Sequence, residues 1–276
     1  MIAAGDYEFL QHFLKQRSGL NLSQEKQYLI ESRLAPVARK VGLAGVEQLV
    51  TRLRAAPSGA VADAVVEAMT TNESSFFRDK TPFETFVSFV VPNLIDRRGS
   101  RRIRVWCAAA STGQEPYSLA MTLKENAHLL PGVTVEILAT DLAGHVLERA
   151  QAGLYSAFEV QRGLPIQYLL KYFEQKGDQW QIRPEIRAMV QFRQFNLLQS
   201  FAGLGTFDII FCRNVLIYFD IPTKADVLSR MAKVLAPDGY LVLGAAETVM
   251  GISDAFRSAS GRPGLYVANR LAEATA

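Results

Sequence analysis

After Pro82 the chain alternates apolar stretches of strand length with amphipathic stretches of helix length, and this rhythm constrains the fold more than any other feature. "RIRVWCAA" (102–109), "VTVEILATD" (133–141), "VQFRQFN" (190–196), "FDIIFCRN" (207–214), "GYLVLGAAE" (239–247) and "GLYVAN" (264–269) read as strands. Helical patterns start at Glu115 and run through "AGHVLERAQAG" and "KADVLSRMAKVLA". Strands that are apolar along their length, separated by helical crossovers, imply a parallel sheet covered on both faces. The expected class is therefore a doubly wound α/β domain.

Two regions depart from the rhythm. Before about residue 75 only helical patterns occur: Phe9, Leu10, Phe13 and Leu14 form one stripe and Ile30, Leu34, Val37 and Val41 another. This predicts an N-terminal all-helical domain over 1–75, followed by the α/β domain over 76–276. Inside the latter, Leu154 to Ala188 lies where a simple crossover should return. "KYFEQKGDQWQIRPEI" reads as two strands turning at Gly177 and Asp178, so a small inserted β-subdomain is expected over about 154–190.

The first strand ends in "VWCAAASTGQEPYSLA" (105–120), at the edge where open α/β sheets bind ligands. Small residues from Ala108 to Ser111, with Gly113 free to take a positive φ, would let a ligand approach the backbone. No G-x-x-x-x-G-K-[ST] is present, and the later glycines of the dinucleotide fingerprint are missing. Glu115 at the helix start would repel a pyrophosphate and favour an ammonium group. Asp141, ending the next strand, stands where an acid commonly takes ribose hydroxyls. A nucleoside with an ammonium group and no phosphate describes S-adenosylmethionine. Plainer readings stand beside these: Glu115 as a helix-dipole residue and Asp141 as a helix N-cap.

Composition excludes several classes. A chain of 276 residues with 49% hydrophobic residues can bury a sizeable core, and no apolar run reaches the roughly 18 residues a membrane span needs. Cys107 and Cys212 are too isolated for a disulfide framework, so a cytoplasmic location is expected. His12, His128 and His145 lack ligand spacing, so no metal is expected. A net charge of +3 is too mild to announce nucleic acid, and the densest basic cluster, "RRGSRRIR" (97–104), reads as a solvated turn.

"NESSFFRD" (72–79), "VWCAAASTGQEPYSLA", "ATDL" (139–142), "FNLL" (195–198) and "FDIIFCRNVLIYF" (207–219), in this order and spacing, resemble the chemotaxis receptor methyltransferases of the CheR family. The resemblance covers nearly the whole chain, including the helical domain and the insert. It implies a Rossmann-like fold and transfer of a methyl group from S-adenosylmethionine to glutamates on chemoreceptor cytoplasmic signalling helices, with S-adenosylhomocysteine as product. By motif position the cofactor site would use Asn72, Ser74, Arg78, Glu115, Asp141, Asn196, Leu197, Arg213 and Asn214. Ser74 stands where the family often has threonine, and Gln114 where it often has glutamate; both keep hydrogen-bonding capacity.

Within that resemblance, Arg78 would hold the substrate carboxylate and Tyr218 would donate a hydrogen bond beside it. Lys26, Arg33 and Lys40 fall at heptad intervals flanking the apolar stripe and could face acidic receptor helices, with Pro36 expected to kink that array. The loop "EQKGDQWQ" lacks the glycine-rich extension of members that capture a receptor C-terminal pentapeptide, so no such tether is expected. The enzyme is expected to be a monomer, recruited to receptor arrays without entering the membrane. Methylation of RNA, with the 97–104 arginines as its footprint, is the alternative. A catalytically dead sensor of S-adenosylmethionine would require loss of site residues that are present.

Overall fold

A computed structural model describes residues 2–99, 101–259 and 261–269, which fall into two compact units divided at Thr71 and Asn72. The expected ends of the α/β domain at 270–276 and the serine at 100 lie outside the described residues. The short stretch Tyr218–Thr223 groups with the first unit.

The first unit is helical: α1 (Ala4–Ser18), a 3-10 turn (Gln24–Lys26), α2 (Tyr28–Lys40), α3 (Val46–Ala55) and α4 (Ala60–Met69). Gly19 stops α1 by taking φ 78° and returning its N–H to the Lys15 carbonyl. Leu10, Leu14, Ile30, Leu34, Leu49, Leu53 and Val65 are fully buried and form the core. On α2 the buried face is Ile30, Leu34 and Ala38, so the expected stripe shifts by one residue at its end: Val37 and Val41 are only half-buried. Pro36 lies inside α2. The Tyr218–Thr223 stretch is pinned to this unit by an Asn21 N–H to Tyr218 carbonyl bond of 2.8 Å and a Lys15–Asp220 ion pair of 2.6 Å.

The second unit begins with α5 (Thr81–Thr85), which passes through a π-helical stretch (Phe86–Val90) into α6 (Val91–Arg98). Pro92 at the start of α6 has no N–H to give the preceding turn, which is where such a stretch is tolerated. Then come β1 (Arg102–Cys107), α7 (Gln114–Glu125), β2 (Thr134–Asp141) and α8 (Gly144–Ala152). The insert follows as β3 (Leu154–Ser156), α9 (Ala157–Gln161), α10 (Ile166–Tyr172), β4 (Phe173–Lys176), β5 (Gln179–Ile182) and α11 (Pro184–Arg187). The chain finishes with β6 (Val190–Gln194), β7 (Phe207–Cys212), α12 (Ile221–Val234), β8 (Leu235–Leu243), β9 (Phe256–Ser258) and β10 (Leu265–Ala268).

The main sheet has seven strands in the order β6-β2-β1-β7-β8-β10-β9. The first five are parallel, as the uninterrupted apolar strands predict, but β10 pairs antiparallel with both β8 and β9. This corrects the all-parallel expectation: "GLYVAN" was legible as a strand, whereas its direction and its three-residue partner were not. Strand order reverses at β1, so a crevice opens at the carboxyl ends of β1 and β7. In the insert the expected hairpin is present, with Gly177 and Asp178 as its turn, and β3 adds antiparallel to β5 to give the order β3-β5-β4.

Candidate active site

The glycine turn hangs from the sheet by backbone bonds. The Ala108 N–H reaches the Phe211 carbonyl at 2.8 Å and the Ala110 N–H reaches the Thr140 carbonyl at 2.9 Å. Ser111, at φ 48°, gives its N–H to Asp141 Oδ2 at 2.8 Å and its hydroxyl to the Asn72 carbonyl at 2.7 Å. Gly113 takes φ 92°, and a Cβ there would meet the Ala150 Cβ at 3.0 Å, the Tyr117 ring at 3.1 Å and the Tyr155 hydroxyl at 3.2 Å. The expected positive φ is present, and the position of the missing side chain faces the protein. Only glycine permits both this φ and the close seating of α8 and β3 on the turn.

Asp141 is buried, and its two oxygens accept from Ser111 and, at 3.0 Å, from the Ala143 N–H. Burial pushes its pKa up, against the opposing pull of the backbone N–H groups of Ala143, Ser111 and Leu142. The two oxygens offer about four lone-pair positions, so after these three amide contacts the carboxylate ties the turn to the end of β2 and retains room for one further donor.

Glu115 is engaged within the protein through one of its two oxygens. Its Oε2 accepts from the Arg213 guanidinium at 2.8 Å, and the same guanidinium reaches Asp79 Oδ2 at 2.7 Å and the Arg78 carbonyl at 2.9 Å. Burial raises the Glu115 pKa, while Arg213 pulls it down. Arg213, whose side chain is 2% exposed, is correspondingly a brace between the 72–79 segment and the first turn of α7. Both of its terminal nitrogens are engaged within the protein.

All five non-glycine residues with positive φ among the described residues stand at this site: Phe77, Asp79, Lys80, Ser111 and Asn214. Strain of this kind persists only where the surroundings over-determine it. One such determinant is Glu247, which the sequence reading missed. Its buried carboxylate accepts the N–H groups of Asn214 (2.8 Å), Val215 (3.0 Å), Leu216 (2.8 Å) and Gly244 (2.8 Å). It thereby locks the loop after β7 to the end of β8. An acid four residues past an apolar strand, in "LVLGAAE", was the available signal.

The remaining expected residues divide. Asn196 turns the chain after β6 by accepting the Leu198 N–H at 2.9 Å, and Leu197 is buried beside it. Asn72 supplies its carbonyl to Ser111, and Ser74 is half-buried on the same segment. Among the described residues no hydrogen bond or ion pair engages the half-buried Arg78 guanidinium, although its charge helps to lower the pKa of Glu73 and of Glu115. Tyr218 falls in the stretch that groups with the helical unit. Lys26 lies in the 3-10 turn rather than on α2, and Arg33 spends its guanidinium on the Met69 (2.7 Å) and Thr70 (3.0 Å) carbonyls at the end of α4. The expected single-helix array of Lys26, Arg33 and Lys40 is therefore not present.

Four of the five arginines expected as an RNA footprint are engaged within the protein. Arg98 pairs with Asp208 and Asp238, Arg101 bonds the Pro131 carbonyl, Arg102 pairs with Glu136, and Arg104 reaches Glu136 and the Thr206 carbonyl. No described helix is long and apolar enough to cross a membrane.

Asp141 thus offers a buried acceptor, and among the described residues the Arg78 guanidinium is left without a hydrogen bond or ion pair. Comparison with known proteins identifies the family. Residues 72–265 match the family description "CheR methyltransferase, SAM binding domain" and residues 5–70 match "CheR methyltransferase, all-alpha domain". Chemotaxis protein methyltransferase Cher2 of Pseudomonas putida is 43% identical over 264 residues, spanning 94% of this chain and 96% of the relative. Chemotaxis protein methyltransferase 1 of Pseudomonas aeruginosa is 43% identical over 267 residues, spanning 95% and 97%. That of Vibrio parahaemolyticus is 40% identical over 267 residues, spanning 96% of each. Two matched domains and relatives of equal length leave one assignment: the chain belongs to the CheR family of S-adenosylmethionine-dependent methyltransferases.

Proposed function

We propose that this enzyme esterifies glutamate side chains on chemoreceptor cytoplasmic helices, leaving glutamyl methyl esters and S-adenosylhomocysteine. The observation that carries the reading is the Arg78 guanidinium, unengaged among the described residues and mounted on a segment braced by Arg213. Such a group suits a carboxylate.

A glutamate side chain, with an ordinary pKa of about 4.3, is already ionised near neutrality and needs no general base. S-adenosylmethionine supplies the methyl group on a sulfonium. No residue has to move a proton, so the protein's work is positioning, which can supply up to about 7–11 kcal/mol in favourable cases. Arg78 orients the carboxylate, and Tyr218 donates to it, a role resting on the family resemblance alone. Asp141 holds the ribose side of the cofactor; Asn72, Ser74, Asn196, Leu197 and Asn214 complete its surroundings.

The reading extends to partners. Lys26 and Lys40, both exposed, are the cations of the helical unit offered to acidic receptor helices. The two-residue turn at Gly177 and Asp178 supports the absence of a site for a receptor C-terminal pentapeptide. The enzyme works as a cytoplasmic monomer that meets the membrane only through its receptors, and takes no nucleic acid.

Labelling a receptor cytoplasmic fragment with tritiated-methyl cofactor tests this: the label should leave as methanol in mild alkali. Alkali-stable label would overturn the ester. Arg78→Ala should lower kcat by about 100-fold, beyond any loss of cofactor affinity, and Tyr218→Phe by less; equal, small losses would remove both roles.

A further inference from the structure

Three of the large apolar side chains left in solvent fall within one short part of the insert: Phe158 on α9 is 72% exposed, and Ile166 and Leu170 on α10 are 66% and 68% exposed. Ile166 and Leu170 are four residues apart on a helix, hence neighbours on one face, roughly 6 Å apart along its axis. The opposite side of α10 is spent on the protein, since Leu169 and Tyr172 are buried. Two adjacent apolar positions facing water on a helix whose other side is packed form a ridge without an intramolecular partner.

Its position gives it meaning. Tyr168 on α10 packs its ring edge-on to Phe77, with centroids 5.3 Å apart, and Phe77 adjoins Arg78. The loop between α9 and α10 is seated on the same segment: Gly163 takes φ 90°, and a Cβ there would stand 2.2 Å from the Phe76 carbonyl oxygen. The ridge is thus fixed to the segment that carries the carboxylate-binding arginine. It is also flanked by cations. Arg162 precedes it, paired with Glu73, and Lys171 follows Leu170, paired with Glu125 at 2.8 Å. Both cations are about half exposed, so each can turn from its present carboxylate to another at little cost.

We propose that Ile166 and Leu170, with Phe158, form a docking ridge for the methyl-accepting helix itself, packing against apolar residues one turn from its target glutamate while Arg162 and Lys171 meet its acidic neighbours. This rests on the glutamate-methylation reading above and names the partner surface of that site. An amphipathic acidic helix matches an apolar ridge with basic ends, and the ridge continues directly into the Phe77–Arg78 turn where its glutamate has to arrive.

The test compares wild type with Leu170→Asp and Ile166→Asp, both at exposed positions where folding is not at stake. Tritium transfer to a soluble chemoreceptor cytoplasmic fragment is measured across fragment concentrations, and S-adenosylhomocysteine affinity by calorimetry. The proposal expects KM for the fragment to rise about tenfold or more, with cofactor affinity and the rate at saturation little changed; Leu170→Met should restore wild-type behaviour. An unchanged KM in both aspartate variants would overturn the ridge and leave the reaction standing. A wild-type dimer that becomes monomeric in Leu170→Asp would show that a second copy covers the ridge and would equally overturn it. Failure of the wild type to form any alkali-labile ester would remove the reaction, and the ridge's assigned partner with it.

Discussion

The Tyr155 hydroxyl donates to the Thr112 carbonyl at 2.7 Å, joining the first strand of the insert to the residue before the turn glycine. The same ring meets Phe76 edge-on, with centroids 5.0 Å apart. The insert therefore supports the glycine turn after β1 as well as bordering it. Burial drives the Tyr155 pKa well up, so the donor stays protonated.

Tyr155→Phe should expose the consequence. It leaves the Thr112 carbonyl buried without its donor, a loss of about 1–3 kcal/mol. A lower Tm and weaker S-adenosylhomocysteine binding by calorimetry are expected together. An affinity equal to wild type would mean that the turn keeps its shape without the insert.

Gly113→Ala should be more severe. The left-handed conformation alone costs about 1–2 kcal/mol for a residue with a Cβ, and the contacts with Ala150, Tyr117 and Tyr155 are already tight at 3.0–3.2 Å. Cofactor affinity should collapse with stability. A variant that binds normally would show that the turn tolerates a side chain at this position.

Glu247→Ala removes the acceptor of four backbone N–H groups at once. Orphaning buried donors of a charged acceptor should cost about 3 kcal/mol or more, and Glu247→Gln, which keeps one acceptor oxygen, should cost less. Chemical denaturation checks the order. Because this carboxylate sets the loop bearing Asn214, the glutamine variant should also lose kcat while remaining folded.

How much of this was legible beforehand follows from which interactions are local in sequence. Strand and helix periodicity gave the parallel half of the sheet, and small residues ending a strand located the turn. The antiparallel edge was not legible, because a three-residue strand such as Phe256–Ser258 carries no period and pairing direction leaves no mark on one strand. Glu115 and Arg213 were both singled out, but 98 residues separate them, and spacing alone does not show that they bind each other. Charge on the helical unit misled in the same way: Arg33 reads as a surface cation until α4 ends beside it.

Arg33 and Lys40 should consequently behave differently when reversed. Arg33→Glu removes hydrogen bonds to the Met69 and Thr70 carbonyls and to the Thr71 hydroxyl, so it should lower Tm as well as receptor methylation. The loss should be of order 1–2 kcal/mol. Lys40→Glu, exposed at the end of α2, should alter methylation with little change in Tm. Thermal denaturation beside a receptor titration separates a docking cation from a structural one. Equal Tm values would return Arg33 to the docking surface.

The Lys15–Asp220 pair gives a prediction in pH. Lys15 first, and then Thr223, holds the Asp220 carboxyl down to about 2. A carboxyl whose folded pKa lies below its unfolded value contributes stability that is complete above the unfolded value and is lost as pH falls through the folded one. The window therefore runs from about 3.9 down to about 2. Since Lys15 is half exposed, the contribution is discounted to about 1 kcal/mol or less. Lys15→Met should lower the Tm slightly at pH 7, and the gap from wild type should close between pH 4 and pH 2. Because Asp220 follows Tyr218 by two residues on the stretch this ion pair pins to the helical unit, Lys15→Met should also reduce methyl transfer at neutral pH while leaving S-adenosylhomocysteine affinity intact. A Tm gap that persists at pH 2 would assign the effect to the lysine's packing rather than its charge.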